Sequence, residues 1–159
     1  MTPHDTKTNG ITTETRRTRR AAEEARKDGL TRDILSAAIE VHRLLGPGLL
    51  ECAYEEALAR ELTLRSIPFE RQKFVPITYK GTLLESRLCI DLVVAKRVVV
   101  ELKSVETLLP VHDAQLITYL RLTGCPVGLL VNFNVKVLRD GVRRKVNSLR
   151  PSASSAPLR

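Results

Sequence analysis

The segment CIDLVVAKRVVVELKS, residues 89–104, constrains the fold more than any other part of the chain. It is apolar and valine-rich, yet it carries Asp91, Glu101 and Lys103, and charged side chains are rarely buried without a partner or a role. Ala95-Lys96-Arg97 interrupts the run, so the segment reads as two strands joined by a turn. Alternation along Glu101-Leu102-Lys103 puts both charged groups on one face, roughly 6 to 7 Å apart, and directs Leu102 into the core. With a three-residue loop, Val94 pairs with Val98 and Asp91 lies opposite Glu101. A two-residue turn would shift the register by one and send the carboxylates to opposite faces. The turn contains neither Gly nor Asn; the first register is favoured because it gathers like charges that a cation would neutralise.

Two carboxylates facing each other repel unless something neutralises them. Hard oxygen ligands in small number, completed by water and a substrate phosphate, suit Mg2+ or Mn2+. Lys103 beside them could orient a water or help deprotonate it, which makes the group read as a site for phosphodiester hydrolysis. A sheet edge in which Lys103 simply pairs with Asp91 or Glu101 accounts for the same three residues. In GLLECAY, Glu51 falls in the first turn of a helix with Tyr54 on neighbouring surface, although a helix-start Glu ordinarily serves the macrodipole. Gln115 and Tyr119 share a face of a later helix, with His112 one turn earlier; such polar stripes are commonly solvated. His42 and His112 each lack a second nearby His or Cys and read as ordinary hydrogen-bonded histidines rather than zinc ligands.

The remaining pattern supplies the frame. Residues 1–30 are poor in large apolar side chains and rich in Thr, Arg and Glu, so they read as a disordered tail, helical at most towards its end. From Thr31, a candidate N-cap, Ile34, Ala37, Ala38, Val41, Leu44 and Leu45 recur at helical spacing until Gly46-Pro47-Gly48. A second helix buries Ala53, Ala57, Leu58, Leu62 and Leu64. FERQKFVPITYKG and TLLESRLCIDLVVA follow as strands turning at Lys80-Gly81, then VVVELKS, a helix opened by Pro110 and closed near Gly124, and a last buried strand PVGLLVNF. Three strands in a meander and a fourth returning through a helical crossover predict an α/β fold: a mixed sheet of about four strands over residues 31–135. Residues 136–159 read as a basic C-terminal segment and tail.

Charge sharpens the division. The formal +8 resolves into +2 over residues 1–30, 0 over 31–135 and +6 over 136–159. A basic end favours encounters with polyanions through a salt-sensitive attraction and carries no chemistry of its own. Three cysteines, Cys52, Cys89 and Cys125, fit neither a disulfide framework nor zinc pairs and are expected to be reduced. No apolar run is long enough to span a membrane and the start is polar, so the expected location is the cytoplasm.

GLLECAY, IPFERQ, IDLVV, VVVELKSVETLLPVHDAQLITYLRLTG and GLLVNF stand in the order and spacing of the blocks of the GxxExxY protein family, which residues 31–135 resemble. That family is assigned to the PD-(D/E)xK nuclease superfamily, so the resemblance implies a restriction-endonuclease-like core, αβββαβ with an extra N-terminal helix. It implies Asp91, Glu101 and Lys103 as the D…ExK triad, with Ile90-Asp91 replacing Pro-Asp and the Leu102 carbonyl as a further metal ligand. Glu51 becomes the helix-borne acidic residue, while Gln115, Tyr119 and Tyr54 become substrate-positioning residues. The implied function is metal-dependent hydrolysis of DNA or RNA, with Mg2+ or Mn2+. A non-catalytic nucleic-acid-binding or protein-interaction module on the same fold is the alternative, and a homo-oligomer is left open.

Overall fold

The computed structural model describes residues 13–148, with side chains from residue 29 onward. Helix α1 runs Thr13–Leu45 and α2 Glu51–Leu64; strands β1 (Phe69–Tyr79), β2 (Thr82–Val94) and β3 (Val98–Lys103) follow, then α3 (Pro110–Thr123), β4 (Val127–Asn132), a 3-10 turn (Leu138–Gly141) and β5 (Val142–Val146). No helix among the described residues is long and apolar enough to cross a membrane.

The helix start expected at Thr31 is corrected: α1 begins eighteen residues earlier, and Thr31 lies buried in mid-helix. The Ala-, Arg- and Glu-rich segment before it consists of good helix formers, and a mid-helix Gly29 costs only about 1 kcal/mol. Residues 1–12 lie outside the described residues. Ile34, Ala37, Ala38 and Val41 form the buried stripe, whereas Leu44, Leu45 and, on α2, Leu64 are exposed. Gly46, at φ 67°, ends the helix in the left-handed region and donates its N–H to the His42 carbonyl at 2.8 Å.

The sheet is mixed, in the order β1-β2-β3-β4-β5: the first three strands form an antiparallel meander, β4 runs parallel to β3 after the α3 crossover, and β5 closes antiparallel on β4. The hairpin turn at Lys80-Gly81 has positive φ at both positions, as a two-residue turn matched to strand twist requires. The β2–β3 register is Val94↔Val98, Val93↔Val99 and Leu92↔Val100, so the three-residue loop holds, with Ala95 and Lys96 both in the left-handed region.

The fifth strand corrects the expected four. Residues 136–148 are part of the domain: Leu138 is buried, and β5 covers the edge of β4, whose six residues are all buried. Its sequence VRRKV hid this because an edge strand buries only half its side chains. Arg143 and Lys145 both pair with Asp113 on α3, so basic residues that read as tail hold an edge in place.

Helices α1 and α2 pack on one face against Leu92, Val94, Val100, Leu102, Leu129 and Val131, and α3 packs on the other against Val93, Val99 and Leu130. In the β1–β2 hairpin these faces exchange. Phe69, Leu92 and Val94 belong to the first cluster, yet Val75, Leu88 and Ile90, of the same parity along their strands, belong to the second. Regular pleating forbids this. The exchange occurs at the rung between Arg71↔Leu92 and Lys73↔Ile90, where Gln72 takes φ 46° opposite Asp91.

Candidate active site

That exchange determines what Asp91 can do. Beyond Leu92↔Val100 the β2–β3 ladder stops, and the next β3 amide, Leu102 N–H, donates to Asp91 Oδ2 at 2.8 Å. A carboxylate thus replaces a strand as partner. Because N–H and C=O of one strand residue project to the same edge, the Leu102 carbonyl also lies on the Asp91 side.

Strand β3 brings in the other two groups. Lys103 Nζ donates to Glu101 Oε1 at 2.8 Å, while Glu101 Oε2 is buried with no hydrogen-bond partner among the described residues. Glu51, exposed at the start of α2, accepts the Ser104 N–H at 3.2 Å, and Ser104 Oγ donates to the Leu49 carbonyl at 2.6 Å. The helix start is thereby fastened to the end of β3. Asn132 fixes the chain just beyond, accepting from Val105 N–H at 3.1 Å and donating to its carbonyl at 2.8 Å.

Tyr119 is buried in α3; its hydroxyl accepts from Gln115 Nε2 at 2.7 Å and donates to the Cys89 carbonyl at 3.3 Å, two residues before Asp91. Tyr54 is a different case and corrects the expectation of a substrate-positioning role. It is fully buried and stacked on Phe133 at 4.3 Å. Its hydroxyl donates to the Gly46 carbonyl at 2.6 Å and accepts from Leu49 N–H at 3.1 Å. That oxygen clamps the loop preceding Glu51. His42 Nε2 is bonded to the Val135 carbonyl at 2.8 Å and His112 Nδ1 accepts from Leu109 N–H at 3.0 Å, so both histidines serve local structure.

Two contributors escaped the sequence reading. Glu55, buried on α2, pairs with Arg71 Nε at 3.0 Å and accepts from Gln72 Nε2 at 2.5 Å. The same amide lies 3.5 Å from Asp91 Oδ1, and Gln72 Oε1 accepts from Cys89 Sγ at 3.0 Å. Gln72 therefore sits between two carboxylates. A signal existed for Glu55, since its spacing to Leu58 and Leu62 puts it on the apolar stripe of α2; for Gln72 the signal was only its place at the end of the IPFERQ block, which gave it no role, because that role follows from an unusual backbone angle.

The electrostatics describe a site short of positive charge. Burial pushes the Glu101 carboxyl up to about 7, and the Asp91 charge adds to this against the opposing Lys103. Asp91 is also raised, chiefly by burial, with the Leu102 amide and Lys103 acting in the other direction. Burial disfavours the Lys103 ammonium, but Glu101, Glu51 and Asp91 together outweigh it and its pKa is raised. Lys103 is thus held as a cation, suited to orienting water and stabilising negative charge rather than to removing a proton.

The donor set fits a small hard cation. Among the described residues no three His, Cys, Asp or Glu side chains group closely enough for a cage of side chains alone. Mg2+ needs none: it binds through one or two carboxylates and keeps several waters. The orphaned Glu101 Oε2, Asp91 and the Leu102 carbonyl supply such a set.

The family model of the PD-(D/E)XK nuclease superfamily matches residues 28–145. The chain belongs to that superfamily. The match begins within α1 and reaches into β5, so it takes in the fifth strand as well as the site. No curated protein and no solved structure matches the chain. PD-(D/E)XK nucleases generally use divalent metals, in keeping with the oxygen donors gathered here.

Proposed function

We propose that this PD-(D/E)XK domain, of the GxxExxY kind, is a metal-dependent nuclease hydrolysing phosphodiester bonds in DNA or RNA. The observation that carries the proposal is Glu101: a buried carboxyl with one oxygen on Lys103 and the other without a partner, beside Asp91. Most buried acceptors are paired, so an oxygen left without a hydrogen bond beside a second buried carboxylate fits a site for a cation better than it fits a simple ion pair.

Asp91, Glu101 and the Leu102 carbonyl would hold the metal, which supplies Lewis-acid polarisation of the phosphoryl oxygen and lowers the pKa of attacking water. The chain's residues do the rest. The Leu102 N–H and Gln72 amide hold the Asp91 carboxylate in one orientation, and Lys103, kept charged by its acidic neighbours, orients water towards phosphorus and donates to the negative charge building on the phosphoryl oxygens. Glu51, fastened to Ser104, adds a carboxylate at the open edge for the water shell. Gln115 and Tyr119 brace the β2 backbone at Cys89, behind Asp91.

Labelled single- and double-stranded DNA and RNA, incubated with purified protein in Mg2+, Mn2+ or chelator, test the reading. The expected result is metal-dependent cleavage of at least one substrate, lost in Lys103→Ala. Absence of cleavage and of metal binding under every condition would leave a binding module on a nuclease fold.

A further inference from the structure

Beyond Val75 and Leu88 the β1–β2 hairpin leaves the body of the protein. Of residues 76–87 only Ile77 is not exposed, so this two-stranded ribbon projects about 15 Å with both faces in solvent. Such a ribbon is marginal by itself in water, and it carries the apolar side chains of Leu83 and Leu84 outward.

The aromatic residues are distributed unevenly. The chain has three Phe and three Tyr; Tyr54, Tyr119 and Phe133 are buried and Phe69 packs against the core, whereas Phe74, at the base of the ribbon, and Tyr79, on it, are 60% and 61% exposed. Each carries a cation: the Arg87 guanidinium lies 5.1 Å from the centre of the Phe74 ring and Lys80 Nζ lies 5.5 Å from that of Tyr79. An exposed ring beside a cation offers a stacking surface next to a charge, the combination on which nucleic-acid strands are held without regard to sequence.

A second feature adjoins the first. At the base of the ribbon, against the C-terminal end of α3, lies a cleft of about 250 Å³ lined by Lys73, Phe74, Pro76, Lys96, Leu122 and Thr123 among others, with two cations and no carboxylate. Lys73 does pair with Glu70 at 3.0 Å, but both are well exposed, and such a pair is weak and screened, so a phosphate can replace the carboxylate. The cleft and the acidic site also share strand β1: Lys73 lines the cleft, and the amide of the preceding residue, Gln72, lies 3.5 Å from Asp91 Oδ1.

We propose that the β1–β2 ribbon and the cleft at its base bind the nucleic-acid flank of the scissile phosphate, through phosphate charge and stacking rather than base-edge recognition. The inference rests on the nuclease reading of the adjoining site.

Fluorescence anisotropy of labelled DNA and RNA oligonucleotides in chelator isolates binding from cleavage. Phe74→Ala/Tyr79→Ala and Lys73→Gln/Lys96→Gln/Arg87→Gln are compared with wild type. The substituted side chains are surface groups, and circular dichroism checks that the fold is intact. We expect each ribbon variant to bind at least about tenfold more weakly, with the charge variant losing about two units of salt slope. Unchanged affinity in both ribbon variants overturns the proposal, as does absence of wild-type binding. Loss of a co-purifying protein with nucleic-acid affinity intact also overturns it, assigning the ribbon to a protein partner. Cleavage by wild type in Mg2+ is scored separately: cleavage with ribbon-independent binding removes only this proposal, and ribbon-dependent binding without cleavage removes only the nuclease reading.

Discussion

Glu101 is where fold and function pull in opposite directions. Its carboxyl titrates near 7 instead of 4.5 because burial and the Asp91 charge oppose ionisation. The folded metal-free protein therefore binds more protons than the unfolded chain between those pH values, and the contribution of Glu101 to stability is full below about 4.5 and lost as pH rises through 7. Thermal unfolding of metal-free protein is expected to show this decline from pH 5 to 7.5, and Glu101→Gln is expected to flatten it. A divalent cation must displace the proton, so its binding should tighten over the same interval. Gln72 makes a second prediction. Its φ of 46° suits Gly and excludes β-branched residues, so Gln72→Val should cost roughly 1–2 kcal/mol more than Gln72→Gly in urea denaturation. Both variants should slow cleavage, because both remove the amide between Glu55 and Asp91.

Among the elements, the loop from Gly46 to Leu50 and the β2–β3 pair matter most. Tyr54→Phe keeps the ring stacked on Phe133 and removes the hydroxyl that holds Gly46 and Leu49. It should cost about 1–2 kcal/mol in thermal unfolding and leave the fold unchanged. Much of this level was legible beforehand. The alternation in VVVELK put Glu101 and Lys103 on one face, and the expectation that a cation neutralises gathered carboxylates favoured the register that brings Asp91 to them. Tyr54 was misread because sequence spacing shows which residues share a surface but not where a hydroxyl finds its partner. The exchange of faces at Gln72 was equally hidden, since no local preference marks a glutamine for the left-handed region.

For the whole molecule, the sheet must be closed at β4 to stand. Every residue of β4 is buried, and the cover on its outer edge comes from the segment that composition marked as a basic tail. A chain stopped after Val135 loses Leu138 and β5 and is expected to be unfolded by circular dichroism; Leu138→Ala in the full chain should cost about 2–4 kcal/mol. Charge bookkeeping could not reveal this, because Arg143 and Lys145 count the same whether solvated or bound to Asp113. The result is a domain with helices on both faces of the sheet and its acidic site where β2 and β3 part. The most direct test of that site is metal-dependent cleavage by Glu101→Gln, measured beside its stability. A protein at least as stable as wild type near pH 7.5, with cleavage reduced by roughly 100- to 1,000-fold or more, is the predicted result. Cleavage at the wild-type rate by a folded Glu101→Gln protein would contradict the account.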